Sequence, residues 1–345
     1  MSINQALSSM TSTPLASGQW VRVRSAAEIA ASLDSDGKLD GVPFMPEMLR
    51  FCGQRLMVHR RAEKTCVEGH GLRKMDGTVL LQGSRCDGAA HDGCQRGCMI
   101  FWKEAWLLPD SDGAEQTAID AAAQTHAASR LENLPTRAGD RYQCQSTALA
   151  TATSALSKWS FGLIAGDVRR GELSVAGAMR IVWRTLANLA RRRLGLPELG
   201  AFAGVGASGP SGGLGLKPGD WVTVRGADQI QATLGPDGKN KGLSFEPEMG
   251  RYIGGLYRVG EPVEKIILEE SGRMVALRQT VTLEGLTCKG SCVKNCPRSN
   301  PLFWREAWLE RADPAPRRRP AADGRTTAGP RGSAPAPTGP WPTPA

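Results

Sequence analysis

WVRVRSAAEIAASLDSDGKLDGVPFMPEMLRFCG fills residues 20–53, and WVTVRGADQIQATLGPDGKNKGLSFEPEMGRYIG fills residues 221–254. Aligned without a gap at an offset of 201, the two stretches agree at 18 of 34 positions. The match continues at Glu63-Lys64 over Glu264-Lys265 and resumes at Val79 over Val281. It closes on FWKEAWL (101–107) over FWREAWL (303–309), now at an offset of 202. Self-similarity of this kind marks a tandem duplication, and it decides the architecture before any single element is read.

Within each copy the pattern is that of a small β-rich module. WVRVRS alternates as a half-buried strand does, and AAEIAASL has the spacing of a short helix. DSDGKLDG is a turn region, and MPEMLRF suits a helical turn with Pro46 at its start. RLMVHRR and GTVLLQG read as further strands, with LYRVGE and QTVTLEG in the second copy. FWKEAWL is short and bounded by Pro109-Asp110, which favours a closing strand over a helix. About five short strands per module is loosely similar to the SH3-like barrels in number and size alone, and a fold does not by itself give a function.

Between the copies the composition becomes Ala-rich and helix-favouring. The best helix of the chain is SVAGAMRIVWRTLANLARRRLG, which Ser174 can cap and whose last turn carries Arg191–Arg193 beside the negative end of the helix dipole. The expected class is therefore α+β. Its parts are a disordered N-terminus (1–17), a Cys-rich β module (18–110), a helical connector (111–206) and a flexible linker (207–218). A second Cys-rich β module (219–312) and a disordered Pro/Ala/Arg-rich tail (313–345) complete the chain.

The net charge of +9 is unevenly spread: residues 19–110 sum to +1 and 217–312 to +2, against +3 each for 111–216 and 313–345. A nucleic-acid module carries its basic footprint on its own surface, so binding through the connector and tail is an alternative, not the favoured reading. The N-terminal residues have neither a charged nor an apolar secretory region, and no stretch is apolar enough to span a bilayer. The expectation is a cytoplasmic protein with no membrane partner, in which nine cysteines stay reduced.

Thiols in that setting favour metal ligation. The first copy carries Cys86, Cys94 and Cys98 in SRCDGAAHDGCQRGC; the second carries Cys288, Cys292 and Cys296 in LTCKGSCVKNC. Letting loop length vary pairs Cys94 and Cys98 with Cys292 and Cys296. Zn²⁺ takes four N or S ligands, and three thiols in a Gly-rich loop leave one to find. Cys66 is the natural fourth in the first copy and His91 its rival; Cys144 in the connector is the candidate for the second copy, where Ile267 stands opposite Cys66. An iron–sulfur cluster is a less favoured occupant, because no known cluster spacing is met. CDGAAH is similar to the CDGSH motif but has one residue too many before the His and no upstream Cys-x-Cys. A Cys52–His59 pair, or the repeated Glu47/Glu248, Arg50/Arg251, Lys103/Arg305 and Glu104/Glu306, offer acid–base or nucleophilic groups without a spacing that selects them.

GVPFMPEMLRFCG, RCDGAAHDGC and FWKEAWL together resemble an uncharacterised family of bacterial hypothetical proteins with two Cys-containing modules. That resemblance spans both modules and the connector and implies no activity. The functional expectation is a zinc-binding, non-enzymatic scaffold that docks a protein partner. The alternative is a metal- or thiol-dependent enzyme with its site in module 1 or between the modules.

Overall fold

The computed structural model describes residues 14–110, 121–157, 160–204, 213–290 and 294–313. The disorder expected for most of residues 1–17, part of the 207–218 linker, nearly all of the 313–345 tail, and Cys292 lie outside the described residues.

Alternation in WVRV places Val21 and Val23 inward as strand β1 (Trp20–Val23). Ser25 then caps helix α1 (Ala26–Ser32): its hydroxyl accepts from the Glu28 amide while the Glu28 carboxylate accepts from the Ser25 amide, a reciprocal capping box. Asp40 and Gly41, both at positive φ, turn the two-residue strands β2 (Lys38–Leu39) and β3 (Val42–Pro43). That is the geometry a tight hairpin needs, and Lys241-Gly242 repeat it in the second copy. A 3₁₀ turn at Pro46–Phe51 leads into β4 (Arg55–Arg61), followed by the hairpin β5 (Lys64–Val67) and β6 (Gly71–Lys74) and the long strand β7 (Thr78–Arg85).

The repeated heptapeptide is not one strand. Phe101–Lys103 end β8 (Met99–Lys103), Glu104–Trp106 form a 3₁₀ turn, and Leu107 opens β9 (Leu107–Pro109). The turn lets β8 pair with β7 while β9 crosses to β1, giving an antiparallel, curled five-stranded sheet ordered β8-β7-β4-β1-β9. It also drives Trp102 and Trp106 into one core, edge to face at 6.5 Å, both without exposed surface.

The connector supplies α2 (Ala121–Glu132), a small hairpin of β10 (Arg137–Ala138) and β11 (Arg141–Tyr142), and α3 (Gln145–Ala152). Strand β12 (Ser154–Ala155) then adds itself to β6, so the connector extends a module 1 hairpin. Helices α4 (Gly162–Arg169) and α5 (Val175–Arg193) follow, with Ser174 capping α5 as its sequence suggests.

Module 2 repeats the plan. Its sheet is β13 (Trp221–Val224), β16 (Leu256–Pro262), β19 (Thr280–Thr287), β20 (Pro301–Arg305) and β21 (Leu309–Arg311), ordered β20-β19-β16-β13-β21. Helix α6 (Ala227–Gln231), the turn strands β14 (Lys239–Asn240) and β15 (Leu243–Ser244), and the hairpin β17 (Lys265–Ile267) with β18 (Met274–Ala276) complete it. Registers agree residue for residue: Val79 faces Trp102 and Val281 faces Trp304. Residues through Ala312 form one compact unit.

Several repeated polar positions acquire structural work here. Glu104 accepts from the Leu15 amide and Glu306 from the Leu216 amide, so each anchors the chain entering its module. Lys103 pairs with Asp40 at 2.6 Å, and Arg305 donates to the Asn240 and Lys241 carbonyls, holding the equivalent turns.

The indole N–H groups expose one difference between the copies. Trp106 and Trp308 donate to Ser32 and Thr233, and Trp102 donates to Ser84 at 3.0 Å. Leu286 stands where Ser84 does, and Trp304 Nε1 has no partner among the described residues. Ser84→Ala is therefore expected to cost about 1–3 kcal/mol, the penalty of an orphaned buried donor. Denaturant melts of the two proteins check this, and an unchanged midpoint would mean that the indole bond contributes nothing.

Candidate metal centre

The cysteine loop follows β7 and is tied at its neck by the Cys86 amide, which donates to the Cys98 carbonyl at 2.9 Å. Inside, the Gly93 amide donates to the Gly88 carbonyl at 2.9 Å, and Gly88, at φ 71°, packs so closely on the Cys94 backbone that a Cβ would collide with it. Only glycine satisfies both conditions. Module 2 repeats each constraint at an offset of 202. The Cys288 amide donates to Asn300, the Asn295 amide to Gly290, and Gly290 packs on the Cys296 backbone. Left-handed residues recur in step at Asp92/Lys294 and Gly93/Asn295.

The loops thus have equal length, which revises the pairing read from the sequence. Cys94 corresponds to Cys296, Cys98 to Asn300, and Ala90 to Cys292.

Cys94 and Cys296 sit at a joint between the modules. Cys94 Sγ accepts the Ile267 amide of β17 at 3.3 Å, and Arg96 donates to the Ile267 carbonyl at 2.8 Å. Reciprocally, Cys296 Sγ accepts the Cys66 amide of β5 at 3.2 Å, and Arg298 donates to the Cys66 carbonyl at 2.8 Å. Cys66 and Ile267 are equivalent positions, so each loop grips the other module's hairpin in the same way.

Cys66, the sequence's natural fourth ligand, therefore lies against Cys296, with the sulfurs 3.4 Å apart. The guanidinium of Arg298, paired with Glu269 at 2.7 Å, stands beside them. Two thiols alone are too few for a structural zinc site, and among the described residues no third ligand-type group closes on them. The Cys66 thiol hydrogen bond, opposed by burial and reinforced by Arg298, holds Cys296 below the usual thiol range, while Cys66 is pushed up.

A second group of thiols lies beside this joint. Cys86, Cys94, Cys98 and Cys144 line a cavity of about 30 Å³, together with His91 and with Ile267 and Arg298 from module 2. Cys144 arrives at the N-cap of α3, so the connector lines the cavity beside the first loop. Such a volume suits one or two water-sized bodies. Burial pushes the Cys144 thiol up to about 11 and raises Cys86 and Cys94 as well. At these three positions burial works against the thiolate and so against an activated nucleophile. Cys288 lies in module 2, half-buried, its sulfur accepting the Gly290 amide at 3.4 Å. Burial likewise raises Cys52, to about 12, leaving it no thiolate partner for His59.

Glu47, Cys86 and His91 bring one ligand-type atom each within 4.8 Å of one another. His91, however, has both ring nitrogens engaged: Nδ1 meets Glu47 Oε1 at 2.5 Å and Nε2 meets the Gln143 carbonyl at 3.0 Å. Both partners only accept, so the ring carries two protons and neither nitrogen is free to ligate. Burial opposes both charges, yet the mutual hydrogen bond and attraction prevail, lowering Glu47 and raising His91. In module 2 the equivalent Glu248 takes Arg251 at 3.1 Å, whereas in module 1 the matching Arg50 pairs with Asp87, a residue that is Lys289 in the second copy. One charge reversal in the loop accounts for the different partners.

No protein-family model, curated protein or solved structure matches the chain. The functional reading therefore rests on this geometry.

Two outcomes follow. Under diamide the two facing thiols give up their hydrogens to the azo bond, closing a Cys66–Cys296 S–S bond and reducing the reagent to the hydrazine. The linked chain, bridged across 230 residues, is expected to migrate faster on a non-reducing gel, and Cys66→Ser to abolish that band. For the ion pair, the His91 contribution is complete below its ordinary value of 6.5 and is lost as pH rises through its raised folded value. The Glu47 contribution is complete above its ordinary 4.5 and is lost as pH falls through its lowered value. The stability gap between wild type and His91→Gln, from urea melts, should be widest between those two values and narrow above them; a flat gap would show that the pair is uncharged.

Proposed function

We propose that the chain is a zinc-binding, non-enzymatic scaffold in which one metal ion, held by Cys86, Cys94, Cys98 and Cys144, ties the first loop to the connector beside the inter-module joint. The observation that carries this reading is that these four thiols line one small cavity; among the described residues no three of their sulfurs lie within 4.8 Å of one another, so the loop would close in on the ion as it binds. Four thiolates in a tetrahedron are a common structural zinc set. A divalent cation would displace the thiol protons that burial otherwise retains. The Ile267 amide, donating to Cys94 Sγ, would then serve as an outer hydrogen bond to a thiolate ligand.

Divergence of the copies supports the same assignment. Cys98 and Cys144 have no counterpart in module 2, where Asn300 replaces Cys98, so the full set exists once. The enzyme alternative has less to build on, because burial pushes Cys86, Cys94 and Cys144 up and not down. We further propose that the curled five-stranded sheets are SH3-like, a comparison supported by their strand number and closure by a 3₁₀ turn, and that the scaffold acts by docking a protein partner in the cytoplasm.

Metal analysis of the purified chain tests the centre. About one zinc per chain and a colourless solution are expected for a closed four-thiolate site. Cys98→Ala and Cys144→Ala should each lose the metal, while Cys52→Ala, outside the cavity, should retain it. A brown protein would transfer the site to an iron–sulfur cluster, and metal-free protein would overturn the proposal.

A further inference from the structure

Large apolar side chains are rarely left in water along one line. Among the described residues eight are exposed, and six of them, Val175, Met179, Trp183, Leu186, Leu194 and Leu196, lie on α5 or just after it. Spacings of four, four and three residues from Val175 to Leu186 set them on one stripe of the helix. Met179 is 69% exposed and Trp183 63%, while Ile181, on the opposite side, is the buried residue that seats α5 on the rest of the molecule. The stripe is thus the outward face.

Along the helix itself the charge has a single sign. From Leu173 to Pro197 there are five arginines and no Asp or Glu. Arg180 makes no ion pair with any described residue, nor does Arg193, which lies close to the stripe near the helix end. Arg184 and Arg191 donate to backbone carbonyls, so among the described residues only Arg192 is neutralised, by Glu198.

We infer that α5 is an interfacial helix that lies on an anionic lipid surface, apolar stripe down. A convex, outward helix with a Trp in its apolar stripe and arginines along the edges matches the acyl-headgroup boundary. The apolar side chains enter the boundary while the guanidiniums reach phosphate. Nucleic acid would demand a basic centre to the face, and here the centre is apolar. This differs from spanning: no helix of the described residues is long and apolar enough to cross a membrane.

Co-sedimentation of the full chain with vesicles tests it. Binding is expected to vesicles of mixed phosphatidylcholine and phosphatidylglycerol at low salt, weakening as salt rises, with little binding to phosphatidylcholine alone. Met179→Glu with Trp183→Glu should lower partitioning about tenfold or more, because two large apolar side chains no longer leave water. Both positions are exposed, so circular dichroism and melting should not change. Arg180→Gln with Arg193→Gln, which keeps the stripe, should weaken binding to the anionic vesicles alone.

Failure to sediment with anionic vesicles would overturn the inference. So would equal binding to neutral vesicles, or binding that the Glu pair leaves intact, which would assign it to the basic tail. Dimerisation abolished by the Glu pair without vesicle binding would make the stripe a contact between copies. Binding to duplex DNA in place of vesicles would return the helix to nucleic acid.

Discussion

The meeting of both modules with the connector centres on one buried carboxylate. Glu269 of module 2 faces Arg298 at 2.7 Å, accepts the Ser146 hydroxyl of the connector at 2.8 Å, and accepts the Glu68 amide of module 1 at 2.9 Å. Three parts of the chain therefore meet at two oxygens. Burial opposes the charge on both partners, yet attraction between them wins, lowering Glu269 and raising Arg298. A buried pair of this kind adds little net stability over an apolar contact, but losing one partner strands the other at a cost of about 3–5 kcal/mol. Its value lies in specificity, since only one docking of the modules satisfies every donor.

Around that point the copies have been put to different uses. Both loops keep the glycine that permits close packing and the cysteine whose sulfur receives an amide from the opposite hairpin. Only the first adds Cys98, borrows Cys144 and holds a histidine against its buried glutamate. Module 2 instead satisfies its glutamate with an arginine three residues on. Shared features thus make the joint, and unshared ones make the cavity.

Much of the fold was legible in the residues. Duplication, the strand-to-helix entry at α1, the Asp40-Gly41 turn region and the α5 helix with its Ser174 cap all follow from local pattern. FWKEAWL was only half legible, because a 3₁₀ turn of three residues between two strands leaves no periodicity of its own. The loop register is also written in the residues: the offset is 202 at Val79/Val281 and again at Phe101/Phe303, which leaves no room for a gap between them. Matching cysteine to cysteine overrode that backbone constraint. The Cys66–Cys296 contact, spanning 230 residues, and the pairing of β12 with β6 have no local signal at all. Both are set by how the modules dock.

The reciprocal grip of loop on hairpin has a consequence for stoichiometry. Two surfaces that bind each other through equivalent residues are self-complementary, as in a two-fold dimer. A lone module of this design could make the same grip with its twin, but the complex would come apart on dilution. Joining the two by a connector that itself packs into the joint replaces that encounter with an intramolecular one, whose effective concentration does not fall with the amount of protein. Once association no longer needs two identical partners, each copy is free to change, and the single four-thiol cavity is the kind of asymmetry that a fused pair can hold and a dimer of identical chains cannot.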